Sequence, residues 1–327
     1  MSPRRSSRRT NRDASCFRFH VGLNGIVAAC LVTIIAGGAC SRSDTSPEPT
    51  RSDDSLVRVL ACHIGFPPVF STDSIPETLT KDDRPQGDIL ALIRSVRPDI
   101  VAVLHIENRA RWDSMLLDLE SLDISYSHRE FKAAEGDWGG MGIASRLPII
   151  ERRPRLDLEY SIQGHPLRMS REIIDVTILA GPRDPLRLVL AHLKDKTFHK
   201  LGQTEMRRNE ARLVARHIHS ILEGAPGSRL LFAGALHDES GSAAVQKILG
   251  DSGAGLVDLR PTDPAGNGWT KRDLSGDLYT RSDYLLASPA LASRVDAGFT
   301  GILDIPQSES MSMHRPVVVA LRSEEPE

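Results

Sequence analysis

From residue 56 onward, short apolar runs rich in β-branched residues alternate with amphipathic segments, an order that limits the chain to a layered α/β fold. Runs at 57–62, 99–104, 173–178, 186–191, 230–233, 284–287 and 316–321 are predicted strands. Several are apolar on both faces, as the strands of a covered sheet are. The spacing of Ile89, Leu90, Ile93 and Val96 predicts a helix over 86–96. A longer one spans 203–223, with Met206, Leu213, Val214, Ile218, Ile221 and Leu222 on its inner face.

The predicted strands share a second property, because several end in histidine. His63 follows the run at 57–62, His105 that at 99–104, and His192 that at 186–191. His237 closes the run at 229–236, and His314 stands just before the final strand. In α/β sheets, ligands and catalytic groups gather where strands run out into loops. One histidine so placed is more often a satisfied structural residue than a ligand. Five at equivalent positions point to a site. His20, His128, His165, His199, His217 and His219 lack the pattern.

Composition sets the outer limits. With 40% hydrophobic residues in 327, the chain can bury a sizeable core. A formal net charge of −2 argues against a broadly basic surface for nucleic acid.

Residues 1–40 stand apart from the rest. Arg4, Arg5, Arg8, Arg9 and Arg12 form a basic start, 21–39 is apolar, and Gly37, Gly38 and Ala39 lead into Cys40. That order predicts a secretory signal peptide. Small residues directly before a Cys resemble a bacterial lipobox, which makes Cys40 the lipidation site. The apolar stretch is also nearly long enough to be an uncleaved membrane anchor. Residues 41–55 are mostly Ser, Asp, Pro, Thr and Arg, and read as a solvated tether. The expectation is an exported lipoprotein of the cell envelope, held at the membrane on its periplasmic or outer surface, with 56–327 as the folded domain. Cys62 is the one cysteine in that domain, so no internal disulfide is expected there, and it reads as a small buried residue.

Seven segments of the domain carry recognisable motifs. They are RVLACHIG (58–65), RPDIVAVLHIEN (97–108), GMGIASRLPI (140–149), and HLKDK (192–196) followed by Gln203, Arg207, Arg208, Glu210 and Ala211. GALHD (234–238), Trp269 to Arg272 with YTRSDYLLASP (279–289), and SMHRPV (312–317) complete the set. In this order and spacing they resemble the endonuclease/exonuclease/phosphatase superfamily, in its secreted branch. The resemblance implies a four-layer α/β sandwich, two mixed β-sheets face to face with helices outside. It also implies hydrolysis of phosphate esters at a magnesium-type ion held by oxygen ligands.

The chain departs from that pattern at the metal site. The family's first-motif Asn is His63 and its metal-binding Glu is His105. The Asp and Asn after the Gly are Ala235 and His237, and the Asp before the terminal His is Met313. His192, His314 and Asp283 survive as the catalytic residues the resemblance implies, Asp283 orienting the terminal His. Glu107, two residues beyond His105, is the one carboxylate a shifted alignment could supply at that position. Trp269 stands at a substrate-contacting position of the late motif, or is a half-buried loop anchor. Arg207, Arg208 and Arg212 read as a solvated helix face rather than a phosphate contact.

Three of the five replacements are histidine, a residue that occurs 11 times in 327, so random decay is a poor account of them. Imidazoles suit Cu, Zn, Fe or Ni and suit Mg²⁺ poorly. His63, His105 and His237 are therefore expected metal ligands, with His192 or His314 completing the shell. The expected function is that of a rebuilt, histidine-rich site binding a transition metal (Cu, Zn or Fe) for hydrolytic or redox chemistry. Its substrate would be a small molecule or phosphate ester that the sequence does not fix. The alternatives are a catalytically inactive relative acting as a binding protein, and an ordinary Mg²⁺-dependent phosphodiesterase or nuclease. For the N-terminus, Cys40→Ser is expected to release the protein from the membrane fraction or leave it unprocessed. Unchanged anchoring and processing on fractionation would favour a transmembrane anchor instead.

Overall fold

The apolar runs pair into two sheets. The computed structural model describes residues 56–64, 86–134, 139–155, 157–250, 255–273, 278–303 and 314–323. The signal residues 1–40 with Cys40, the tether at 41–55 and Met313 lie outside the described residues.

Among the described residues, the first six-stranded sheet comprises β1 (Leu56–His63), β2 (Ile100–Ile106), β3 (His128–Lys132), β4 (Gly140–Ser145), β15 (Val295–Ile302) and β16 (Val317–Arg322). Its order is β15-β16-β1-β2-β4-β3, with β1 and β2 parallel and the other pairs antiparallel. The second contains β5 (Ile149–Arg152), β8 (Ile174–Gly181), β9 (Asp184–His192), β10 (Leu230–Ala235), β11 (Val257–Asp258) and β14 (Asp283–Ala287). Its order is β11-β14-β10-β9-β8-β5, and here β9 and β10 are the parallel pair. Small hairpins are made by β6 (Glu159–Ile162) with β7 (His165–Arg168), and by β12 (Lys271–Asp273) with β13 (Leu278–Thr280). The helices are α1 (Gln86–Val96), α2 (Arg109–Ser121), α3 (Gln203–Gly224), α4 (Ala243–Leu249) and α5 (Pro289–Ala292). Among the described residues no helix is long and apolar enough to cross a membrane.

Three apolar clusters make this a four-layer sandwich. Val59, Ala61, Ala102 and Leu104 of one sheet meet Leu188, Leu190, Leu231 and Leu285 of the other in the central layer. The alternate residues Leu60, Cys62, Val101 and Val103 face outward against Ile89, Ile93, Trp112 and Met115 of α1 and α2. On the far side Val189, Ala191 and Phe232 pack against Leu213, Val214 and Ile218 of α3. Successive strand side chains point to opposite faces, so a strand between a sheet and a helix layer must be apolar on both. Cys62 is free and buried in the outer layer, and burial pushes its thiol up to about 12.

The helix predicted at 86–96 has those bounds, and the second runs one residue further, to Gly224. Helix α2 is an addition to the sequence reading. Asn108 caps it, its side chain accepting from the Arg111 N–H at 2.9 Å, and Trp112, Met115, Leu116 and Leu119 are buried.

The two parallel pairs bring the strand ends to one end of the sandwich. His63 stands opposite His105 across β1 and β2. Ala235 stands opposite both His192 and Asp283, because β10 lies between β9 and β14. Gly234 makes this tight register passable, since a Cβ there would lie 2.5 Å from the Phe232 ring and 2.8 Å from the Ala191 carbonyl oxygen. Gly234→Ala is therefore expected to destabilise the fold by about 1–3 kcal/mol through overpacking. Urea denaturation measures it, and a change within roughly 0.5 kcal/mol, the size of an ordinary surface substitution, would contradict the packing argument.

Candidate metal and catalytic centre

Four of the five strand-end histidines close into a ring. Ring centroids lie 5.2 Å apart for His63 and His192, 4.9 Å for His192 and His237, 5.6 Å for His237 and His314, and 3.9 Å for His314 and His63. His105 joins from outside, 6.2 Å from His192 and half-buried where the others are buried. The close approach of Gly139, at φ +68°, holds His105 from behind, for a Cβ there would lie 2.8 Å from its Nε2.

Hydrogen bonds fix the tautomers. The Leu104 carbonyl can only accept, so His192 carries its proton on Nδ1, 2.6 Å away, and this bond crosses from one sheet to the other. His192 Nε2 is left as an acceptor, and His237 Nε2–H donates to it at 2.8 Å. Asp283 takes His63 Nε2 on Oδ1 at 2.8 Å and His314 Nδ1 on Oδ2 at 2.7 Å. The same logic leaves a lone pair on His63 Nδ1. An imidazole anchored at one nitrogen by a carbonyl or carboxylate, with the other bare, is the usual state of a metal-binding histidine.

His63, Asp283 and His314 place ligand-capable atoms within 4.8 Å of one another, so this His/Asp group could hold a metal ion. Its rings limit how. Each ligating imidazole keeps the ion close to its own plane, yet His63 and His314 are stacked with planes only 20° apart. As arranged, one of the two can ligate a given ion while the other supports Asp283.

Burial decides the charge state. His63 falls to about 4, through burial first and the neighbouring His314 second, against the pull of Asp283. His105 falls to about 3, through burial and the Arg171 guanidinium. Burial, with Arg171 for His192 and His314 for His237, holds those two well below the usual histidine range. Burial alone would raise Asp283, but His314 and His63 keep it well below the usual carboxylate range. At neutral pH the imidazoles of His63, His105, His192 and His237 are thus neutral around one carboxylate, a donor set that fits a borderline-soft divalent ion.

Backbone geometry aims two of these groups. His237 sits at φ +52°, a left-handed conformation in which non-glycine residues are uncommon, histidine being among the enriched exceptions. Its ring turns toward His192 beyond the end of β10. Asp283 begins β14, where buried Thr270 Oγ1 accepts the N–H groups of Ser282 at 3.0 Å and Asp283 at 2.9 Å.

Glu107 lies beyond the end of β2 and is exposed, so it does not restore the missing carboxylate. Ala235 is fully buried and leaves a methyl group between His192 and Asp283. Trp269 is half-buried, with the Arg315 guanidinium 4.0 Å from its ring centroid and Tyr279 edge-on at 4.8 Å. It braces the loop that carries Thr270. Arg207 departs from the expected solvated face, being buried and bound to Asp238, while Arg208 is exposed as expected.

Arg171 is the residue the sequence reading missed. It is buried, donates from Nε to the Gly139 carbonyl at 3.2 Å, and stands close enough to His105 and His192 to depress both. A charged residue two positions before an otherwise apolar strand was its only sequence signal.

Two facing mixed sheets with helices outside define a four-layer α/β sandwich with its histidine cluster at one end. Residues 65–301 match the model of the Endonuclease/Exonuclease/phosphatase family, and the chain belongs to that family. Solved structures share the fold. An endonuclease/exonuclease/phosphatase from Beutenbergia cavernae is similar at TM-score 0.59 and 20% identity, over 82% of this chain and 72% of that one. The human Nocturnin catalytic domain with bound sulfate gives 0.57 and 16%, over 81% and 94%. Truncated Caenorhabditis elegans TDP2 gives 0.54 and 16%, over 82% and 98%. No curated protein matches the chain.

Thr270 is the most direct test of how Asp283 is held. Thr270→Val leaves two buried N–H groups without their acceptor and is expected to cost roughly 2–4 kcal/mol. Thr270→Ser, which keeps the hydroxyl, should restore most of it in the same denaturation series. Equal losses in both would mean that the methyl packing, not the hydroxyl, matters.

Proposed function

We propose that this protein is an exported family member whose hydrolase centre has been rebuilt to hold a transition metal, Cu, Zn or Fe, on His192 and His237. One of His63 or His314, which with Asp283 make the His/Asp group able to hold an ion, would turn toward them to complete the set. The observation that carries this reading is the 2.8 Å approach of His192 Nε2 to His237 Nε2 while His192 Nδ1 is spent on the Leu104 carbonyl. An ion would replace the proton that His237 Nε2 shares with His192 Nε2, and the two imidazoles would then form half of a nitrogen-rich shell. Mg²⁺ suits it poorly, because only one carboxylate remains and hard ions prefer oxygen. An ion there would supply Lewis-acid chemistry, or redox chemistry if it is Cu or Fe. The ring outside that shell, His314 or His63, would serve to move a substrate proton. His105 borders the cluster as a supporting group. Export and an anchor at Cys40 complete the proposal, on the strength of the N-terminal sequence.

A second reading, a catalytically silent binding protein, is favoured by one observation. His63, His192, His237, Asp283 and His314 are each at most 7% exposed, and Ala235 offers no polar atom among them.

Metal analysis of the purified full-length protein separates the two. After chelation and reloading with Zn²⁺ or Cu²⁺, stoichiometric metal is expected in the wild type and in His105→Ala. His192→Ala and His237→Asn should lose it, the latter with little loss of stability because Asn tolerates the left-handed backbone. Wild-type protein that retains no metal would leave the silent reading. Full metal in both variants would make these histidines bystanders.

A further inference from the structure

We propose that the cavity over the loops that follow His192 and His237 is a subsite for a phosphate group carried by the substrate. The inference rests on the reading of the histidine cluster as the reacting centre, though not on a metal there. The cavity holds about 430 Å³ and is lined by Lys196, Arg207, Arg208 and Asp238, with the hydroxyl residues Thr204 and Ser242. Three cations therefore face one carboxylate.

The pairing inside the cavity is uneven. Asp238 Oδ2 is engaged by Arg207 Nε at 3.2 Å. Arg208 pairs with Glu205 one turn earlier on α3, and both side chains are about half exposed, so solvent screens that pair and it competes weakly with a ligand. Lys196 is exposed at the rim. A tetrahedral dianion would meet two mobile cations, a fixed guanidinium and two hydroxyls, the donor set that phosphate recognition uses.

Position makes this more than a basic patch. The buried Arg207 guanidinium also donates from Nη1 to the carbonyls of Lys194 and Asp195, each at 3.3 Å. Those residues follow His192, and Asp238 follows His237, so one side chain ties together both loops that leave the ring. A ligand on Lys196 and Arg208 would lie against the same two loops that set the Nε2–Nε2 pair. The substrate class is thus a small molecule whose reacting group enters the ring while a separate phosphate stays outside it.

The test measures binding of inorganic phosphate to the full-length protein in detergent, by calorimetry at low salt. Lys196 and Arg208 are both exposed, so the double variant Lys196→Gln/Arg208→Gln should fold, and its metal content should equal that of the wild type. Phosphate affinity is expected to fall at least about tenfold, the equivalent of one lost charge-assisted hydrogen bond. His237→Asn should bind phosphate as the wild type does, even where it loses metal. No phosphate binding by the wild type, or equal affinity in the double variant, overturns the inference. So does loss confined to His237→Asn, which would place the anion on the ring itself. Loss in the double variant supports the subsite whether or not any metal is found.

Discussion

One buried carboxylate ties the two sheets together where the histidines meet. Asp283 belongs to the second sheet, while His63 and His314, at the end of β1 and just before β16, belong to the first. An ionised carboxylate taken out of water is expensive unless its lone pairs are met. Here two imidazole N–H groups meet both oxygens, and Thr270 holds the backbone beneath them. Asp283 thereby helps to set how the sheets meet at this end, which way two rings face, and which nitrogen of each points away from it. The second inter-sheet bond, from His192 to Leu104, does the same for the opposite side of the ring.

The charge balance of the centre follows from what surrounds that carboxylate. The family's additional acidic position between β9 and β14 is a methyl group at Ala235, and four of the five imidazoles are kept neutral by burial. Arg171 adds a positive charge close to His105 and His192. A hard cation would find little negative charge and few oxygens to replace its water. A ligand that forms strong bonds to nitrogen is repaid by the bonds themselves.

Much of this was legible in the sequence, for a reason particular to strands and to histidine. Strands between a sheet and a helix layer read as unbroken apolar runs, and β1, β9, β10 and β16 were found that way. Helices α1 and α3 show a clear inner face. Helix α2 was missed because Arg109, Arg111 and Asp113 dilute its apolar stripe. The short edge strands carry too few residues for a period to emerge. The histidines stood out because each follows an apolar run, and the structure brings four of them into one ring with His105 beside it. What the sequence could not show was non-local, namely the stacking of His63 on His314, the sharing of Asp283, and the burial of Arg171 and Arg207. Each depends on which strand lies across the sandwich, not on the neighbours in the chain.

The left-handed backbone at His237 has a consequence for how such a centre could arise. A position at φ +52° disfavours β-branched side chains and favours a short menu of Gly, Asn, Asp and His. The family's amide and this chain's imidazole both belong to that menu. An ancestor could therefore exchange one for the other without a less stable intermediate, and test a new ligand chemistry on an unchanged scaffold. The turn at the end of β10 restricts what substitution can try there, and apart from Gly the residues it favours can each bind something.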